Sequence, residues 1–338
     1  MKLKLSLLAL AIATGPAFAA PMPDWPKLQS EIRKDAALEA QVAAIVGKMT
    51  LAQKVGQMTQ PEIKSASPAD VTKYYLGSVL NGGGSWPNLN KRASAADWVA
   101  LAEQYHNASM ATDMAVKVPV IWGIDAVHGN NNVFGATIFP HNIGLGAARD
   151  PQLIREIGAA TGKAVRATGI AWVFGPTLAV VRDDRWGRTY ESFSEDPRLV
   201  ASYAGPYVRG LQGAFKGDAN VVASAKHFIG DGGTEHGKDR GVTKASTAQM
   251  INIHGQGYYP ALQAGAQTVM ASFNSWNDVA AGVDYGKMHG SRAVMTGILK
   301  AKLGFDGFIV SDWNGIAEVP GCRNDSCPQA VNAGIDMF

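Results

Sequence analysis

The chain has 338 residues, 46% of them hydrophobic and only 17% charged, with 38 glycines and 16 prolines. A chain this apolar buries enough surface to offset its ordering entropy, which excludes disorder, and its length suits one large domain or two ordinary ones. A formal net charge of +3 argues against a nucleic-acid partner, because phosphate backbones are held by clustered cations.

Lys2 and Lys4 precede an apolar run from Leu5 to Phe18, and Ala17-Phe18-Ala19 carries the small-x-small pattern of a cleavage site. This pattern predicts a secretory signal peptide over residues 1–19. Thr14, Gly15 and Pro16 interrupt a run already short for a bilayer span. A secreted or periplasmic protein with no membrane attachment after cleavage is expected, its net charge reduced to +1 by the loss of Lys2 and Lys4 from a total of +3. In an oxidising compartment the two cysteines, Cys322 and Cys327, are expected to pair with each other.

After a proline-rich start (Pro21, Pro23, Pro26), helical periodicity over 30–49 is followed by strand-like apolar runs at 55–63 and 77–80. Helix and strand then alternate: helix 93–115, strand 119–124, helix 151–167, strand 171–175, helix 197–212, strand 221–225. The pattern continues with helix 247–264, strand 268–273, helix 291–303, strand 307–310 and a last apolar run at 334–338. Strands that read as continuous apolar runs are those of a parallel sheet covered on both faces. Eight of them interleaved with helices predict an α/β fold, a (β/α)8 barrel occupying 20–338 as one domain. A doubly wound sheet would place a glycine-rich phosphate turn after its first strand; Gly82-Gly83-Gly84 comes after the second and lacks that spacing. The last strand runs to the end of the chain with no helix to cover it. The expectation is a barrel truncated near its last strand, poorly closed there, and part of a longer polypeptide.

In such a barrel, polar residues just beyond a strand face the active-site mouth. The run 119–124 is followed by Asp125 and His128, and 171–175 leads to Arg182, Asp183, Asp184, Arg185, Trp186 and Arg188. The run 221–225 leads to Lys226, His227, Asp231 and Thr234, 268–273 to Asn274, Ser275, Trp276 and Asn277, and 307–310 to Ser311, Asp312 and Trp313. Acids, cations and indoles converging on one rim describe a carbohydrate site. Sugar hydroxyls need bidentate acceptors and charged donors, and the apolar face of the ring stacks on indole. No Ser–His–Asp set of the elbow type and no metal-ligand spacing is present, so neither metal nor cofactor is expected. Glycoside cleavage with retention needs a carboxylate nucleophile and an acid/base about 5–5.5 Å away. Asp312, short and at a strand end, is the best-placed nucleophile, although an aspartate there also serves as a helix N-cap. Asp183, Asp184 and Arg185 read equally as a solvated ion-paired loop, and Trp122 as core.

Several of these segments carry a resemblance. Gly123-Ile124-Asp125-Ala126-Val127-His128-Gly129, Arg185-Trp186-Gly187-Arg188 with Tyr190-Glu191-Ser192-Phe193-Ser194-Glu195-Asp196, Lys226-His227-Phe228 and Ser311-Asp312-Trp313 resemble glycoside hydrolase family 3. Met49-Thr50-Leu51 through Val55-Gly56-Gln57-Met58 fits that family's opening segment. The order matches over nearly the whole mature chain, most closely in the β-glucosidase and 1,4-β-glucan glucohydrolase branch. The resemblance implies a barrel followed by an α/β sandwich domain, the active site lying between them. By motif position it makes Asp312 the nucleophile, gives Asp125, Arg188, Lys226 and His227 to the hydroxyls of the nonreducing glucose, and sets Trp313 beside the sugar. Glu191 and Asp239 are further candidates. Asp239 lies in Lys238-Asp239-Arg240, where plant relatives place a glutamate after the Gly-Gly-Thr loop. The family's acid/base glutamate belongs to the sandwich domain, so that domain is an expected partner of the site, with a β-glucoside or β-glucan oligosaccharide as substrate.

Two other readings stand beside this one. Single-domain β-N-acetylhexosaminidases of the same family use an Asp-x-His acid/base loop after Lys-His-Phe; here His236 is preceded two residues earlier by Thr234. A non-catalytic glucan-binding barrel would have lost the nucleophile, and Asp312 is present.

Overall fold

The computed structural model of the protein describes residues 21–215 and 217–338. The signal-peptide expectation at 1–19 lies outside the described residues. Among those residues no helix is long and apolar enough to cross a membrane.

Six parallel strands form the centre of the molecule: β1 (Ser78–Asn81), β2 (Ile121–Ile124), β3 (Trp172–Val173), β4 (Val222–Phe228), β6 (Thr268–Ala271) and β9 (Phe308–Val310), paired in that order. Two shorter extended segments complete a ring. Glu62 bridges Leu80 of β1 in parallel, and Met337 bridges Val310 of β9. The two segments then meet each other: the Phe338 amide donates to the Met58 carbonyl at 2.9 Å, and the Gln60 amide to the Phe338 carbonyl at 2.9 Å. The eight-position barrel is therefore closed by backbone hydrogen bonds. The expectation of a poorly closed last strand is corrected, because these bonds satisfy the edge groups that would otherwise be exposed.

Trp172, Phe174, Met270, Val310 and Met337 pack together, with Leu80, Ile121, Val222 and Phe308 against them. A second, larger apolar layer joins the sheet to the helices. The helices begin where local chemistry starts them. Asp150 and Asp196 accept hydrogen bonds from the first turns of Pro151–Arg166 and Pro197–Gln212, each with proline as its first residue. These two helices bury Ile154, Ile157, Val165, Val200, Val208 and Leu211 on facing stripes. Gly210 lets them approach closely, since a Cβ there would fall 2.3 Å from the Arg155 carbonyl oxygen.

Two sequence expectations are corrected. The strand-like run at 55–63 begins as a helix, Leu51–Gln57, because Thr50 and Gln53 form a reciprocal capping box; extended backbone comes only after that helix has ended. The stretch 274–277 does not face the active-site mouth. It forms β7 (Ser275–Asp278), which lies between β5 (Val242–Lys244) and β8 (Val283–Lys287) in a separate three-stranded sheet. Trp276 is wholly buried there, donates to the Ala245 carbonyl at 2.8 Å and stacks on Tyr285 with ring centroids 4.1 Å apart.

Candidate active site

Asp125, Arg188, Lys226, His227, Asp312 and Trp313 line one cavity of about 460 Å³, inside the range of roughly 300–1,000 Å³ usual for small-molecule sites. They arrive from four places on the ring. Asp125 comes directly after β2, Arg188 lies in the long connection after β3, Lys226 and His227 end β4, and Asp312 lies two residues beyond β9. Thr59, Gln60, Glu62, Phe174, Asn314 and Asn324 also line it.

Lys226 and Asp125 form an ion pair at 2.6 Å. The lysine side chain is 4% exposed and the carboxylate 36%, so the pair presents its oxygen side to the cavity. Arg188 grips Glu191 in a fork, Nε to Oε1 at 2.7 Å and Nη2 to Oε2 at 2.9 Å. Burial works against the charge on Arg188, but the hydrogen bonds and charge of Glu191, backed by Asp231 and Asp312, raise its pKa above the ordinary value. Burial likewise disfavours the Glu191 carboxylate, yet Arg188 holds its pKa below the usual range. Glu191 thus fixes the guanidinium rather than facing the cavity.

The same guanidinium fixes the tautomer of His227. Arg188 Nη2 lies 3.0 Å from His227 Nε2. A guanidinium only donates, so Nε2 is the acceptor and the ring proton sits on Nδ1. Nδ1 in turn lies 2.8 Å from Asp231 Oδ2. Burial first, then the charges of Arg188 and Lys226, push the pKa of His227 well below its ordinary value, so the ring is neutral. Burial also pushes Asp231 up to about 7. Sequence position marks Asp231 as a polar residue after the fourth strand, but only the structure shows its tie to His227.

Asp312 is the most constrained group. Its Oδ1 accepts the Trp313 amide at 2.7 Å. Its backbone amide donates to His289 Nε2 at 3.0 Å. Its Oδ2 is buried without a hydrogen-bond partner, 3.6 Å from His227 Nε2. Burial raises the carboxyl from 3.8 to about 6, against the lowering effect of Lys226, the Trp313 amide and Arg188. The bond to Trp313 is local and no regular helix begins at Asp312 beyond a short turn at Gly315–Glu318, so capping leaves Oδ2 unexplained. A buried carboxylate with one idle oxygen suits attack on an electrophile.

A raised folded-state value means that folding favours the protonated acid. That stability is present below about pH 4 and is lost as pH rises through about 6. The interval from 3.8 to about 6 corresponds to about 3 kcal/mol. Asp312→Asn, which keeps the shape and the Trp313 contact, is therefore expected to melt roughly 5 °C or more above wild type at pH 8. The difference should vanish near pH 4 in thermal unfolding followed by circular dichroism.

Other sequence candidates lie elsewhere. Asp239 does not line the cavity; its Oδ1 accepts from Trp186 Nε1 at 3.1 Å and its side chain is half exposed. Asp183 and Arg185 pair with each other at 2.5 Å outside the cavity. Trp122 is core, donating to Asn81 Oδ1 at 2.8 Å. His236 is not among the cavity residues either. Cys322 and Cys327 are joined as a disulfide, closing the loop that carries Asn324.

This chain is similar along 94% of its length to the exo-1,3/1,4-beta-glucanase of a Pseudoalteromonas species, with 51% identity, a TM-score of 0.88 and coverage of 39% of that chain. It is 32% identical to a lysosomal beta glucosidase of Dictyostelium discoideum, over 91% of this chain and 40% of the relative. It is 26% identical to a periplasmic beta-glucosidase of Salmonella typhimurium, over 97% and 40%. The chain spans about 40% of the length of these curated relatives. A family model described as the glycosyl hydrolase family 3 N-terminal domain matches residues 50–338, and the chain belongs to that family.

Proposed function

We propose that this barrel carries the nucleophile and the glucose-binding groups of an exported, retaining exo-β-glucosidase. The substrate is the terminal nonreducing β-D-glucosyl residue of a β-glucoside or β-glucan oligosaccharide. The observation that carries the reading is the idle buried oxygen of Asp312 in the cavity that Asp125, Lys226, Arg188 and His227 also line. The names of the Dictyostelium and Salmonella relatives support the sugar and the linkage, and the latter's periplasmic description supports export.

In this mechanism Oδ2 of Asp312 attacks the anomeric carbon as the bond to the leaving oxygen breaks, giving a glycosyl ester on Asp312. An acid protonates the leaving oxygen. The same group, now a base, takes a proton from water that attacks the ester, releasing glucose and regenerating the carboxylate. Asp125 is tied to Lys226 and Asp239 is held by Trp186 outside the cavity. On the family resemblance we assign the acid/base to a glutamate of a sandwich domain outside residues 1–338, with Glu62, which lines the cavity, as the in-chain alternative. Proton NMR of p-nitrophenyl β-D-glucoside turnover, in which all glucose comes from the cleaved anomeric centre, tests the reading. It predicts that β-glucose appears first and the α-anomer only by later mutarotation. Initial release of α-glucose would overturn retention.

Lys226 and Arg188 supply charge-assisted hydrogen bonds to hydroxyls that tighten as the ring flattens. Lys226→Ala and Arg188→Ala are each expected to lower kcat/KM by about 2–4 kcal/mol, roughly 30- to 1,000-fold. Steady-state kinetics staying within threefold of wild type would reduce both residues to structural ion-pair members.

A further inference from the structure

We infer that His289 is a positioning residue that sets the nucleophile's backbone, an inference that rests on Asp312 being the nucleophile. His289 lies 23 residues before Asp312, on the single turn Met288–Gly290 that comes directly after β8. The small outer sheet thus has a purpose beyond packing. From β6 the chain passes through the β7–β8 hairpin to this turn, whose histidine reaches the residue two beyond β9.

Three contacts hold Asp312. His289 Nε2 accepts its amide at 3.0 Å, the Gly315 amide donates to its carbonyl at 2.9 Å, and the Trp313 amide holds Oδ1 at 2.7 Å. Together they fix both the backbone and the side-chain torsion, leaving Oδ2 as the idle atom. An amide can only donate, so the ring must present a lone pair at Nε2 and carry its proton on Nδ1. The side chain is completely buried, and burial drops its pKa to about 4, which keeps the ring neutral and accepting at working pH.

The ring itself has little freedom. Phe273 packs against it with centroids 5.8 Å apart. At its Nε2 edge Gly315 leaves no room, since a Cβ there would sit 2.3 Å from Nε2. The outer sheet is also pinned to the turn after the nucleophile. Glu318 Oε2 takes Lys287 Nζ at 2.9 Å, and its Oε1 takes Arg240 Nη1 at 2.5 Å. Removing the imidazole acceptor would leave a buried amide unpaired and let the Asp312 turn shift. A misplacement near 1 Å in a reacting group costs about 10²-fold in rate.

The test is inactivation by 2,4-dinitrophenyl 2-deoxy-2-fluoro-β-glucoside, which forms the glycosyl ester without needing a strong acid. Its saturation kinetics separate binding (Ki) from ester formation (ki). His289→Leu should lower ki about 30- to 100-fold while Ki stays within about twofold. His289→Gln, whose amide oxygen can accept the same hydrogen bond, should recover ki to within about fivefold of wild type. Gly315→Ala, which displaces the ring without altering it, should lower ki as His289→Leu does, and serves if the leucine variant fails to fold. A ki within threefold of wild type in His289→Leu or Gly315→Ala overturns the inference. So does a glutamine variant no better than leucine, which would mark a packing role only. Wild type labelled on a carboxylate other than Asp312 would instead overturn the assignment of the nucleophile, and this inference with it.

Discussion

Asp312→Asn is expected to lower kcat/KM for aryl β-glucosides by about 10⁴-fold or more, the scale seen when a covalent nucleophile is removed. The same substitution is expected to stabilise the fold at pH 8, so the two effects have opposite signs. A general packing defect would reduce both activity and stability. The opposition arises from the site: Oδ2 of Asp312 is buried without a partner, and ionisation carries a penalty of desolvation that an amide avoids. It also predicts the acid limb of the wild-type pH profile. With the carboxyl at about 6 in the empty site, kcat/KM should fall tenfold per pH unit below about pH 6. Steady-state kinetics between pH 4 and 8 check the limb, and a profile flat down to pH 4 would mean that Asp312 is not the group that must ionise.

The second large effect concerns the leaving group. Residues 1–338 assayed alone should hydrolyse 2,4-dinitrophenyl β-glucoside far better than cellobiose, beyond the intrinsic difference in reactivity, because protonation of the leaving oxygen is commonly worth about 10²–10⁴-fold. Dinitrophenolate leaves without a proton; the glucose alkoxide of cellobiose does not. Comparing kcat for the two substrates measures this directly. Cellobiose turnover at rates ordinary for a β-glucosidase would show that an acid within this chain does the work. Glu62, which lines the cavity with a buried and unpartnered Oε1, would then be the first residue to substitute.

The barrel is legible in the sequence because its strands are short apolar runs separated by amphipathic helices, and the residues beyond those runs converge as that architecture requires. Asp125, Lys226, His227 and Asp312 can be found from position alone. Two kinds of feature cannot. The first run reads as a strand because Val55 and Met58 extend the apolar pattern of a capped helix; the Thr50–Gln53 capping box is the signal against it. The outer sheet is hidden because β7 and β8 pair only with each other and β5, so residues 274–277 look like another rim loop. His289 and Asp231 escape for a related reason. Each acts through one hydrogen bond to a site residue, and such a bond leaves no periodic trace in the sequence. Closure through Phe338, Met58 and Gln60 depends on a three-dimensional meeting of segments more than 270 residues apart.

If Asp312 forms the glycosyl ester, the labelled peptide identifies it. After inactivation with the 2-fluoroglucoside, proteolysis and tandem mass spectrometry should place one fluoroglucosyl group within peptide 307–313, on Asp312. The label should be absent from the Asp312→Asn variant. A label on Glu62, Asp125, Asp231 or any other carboxylate, with 307–313 unmodified, would show that Asp312 is not the nucleophile.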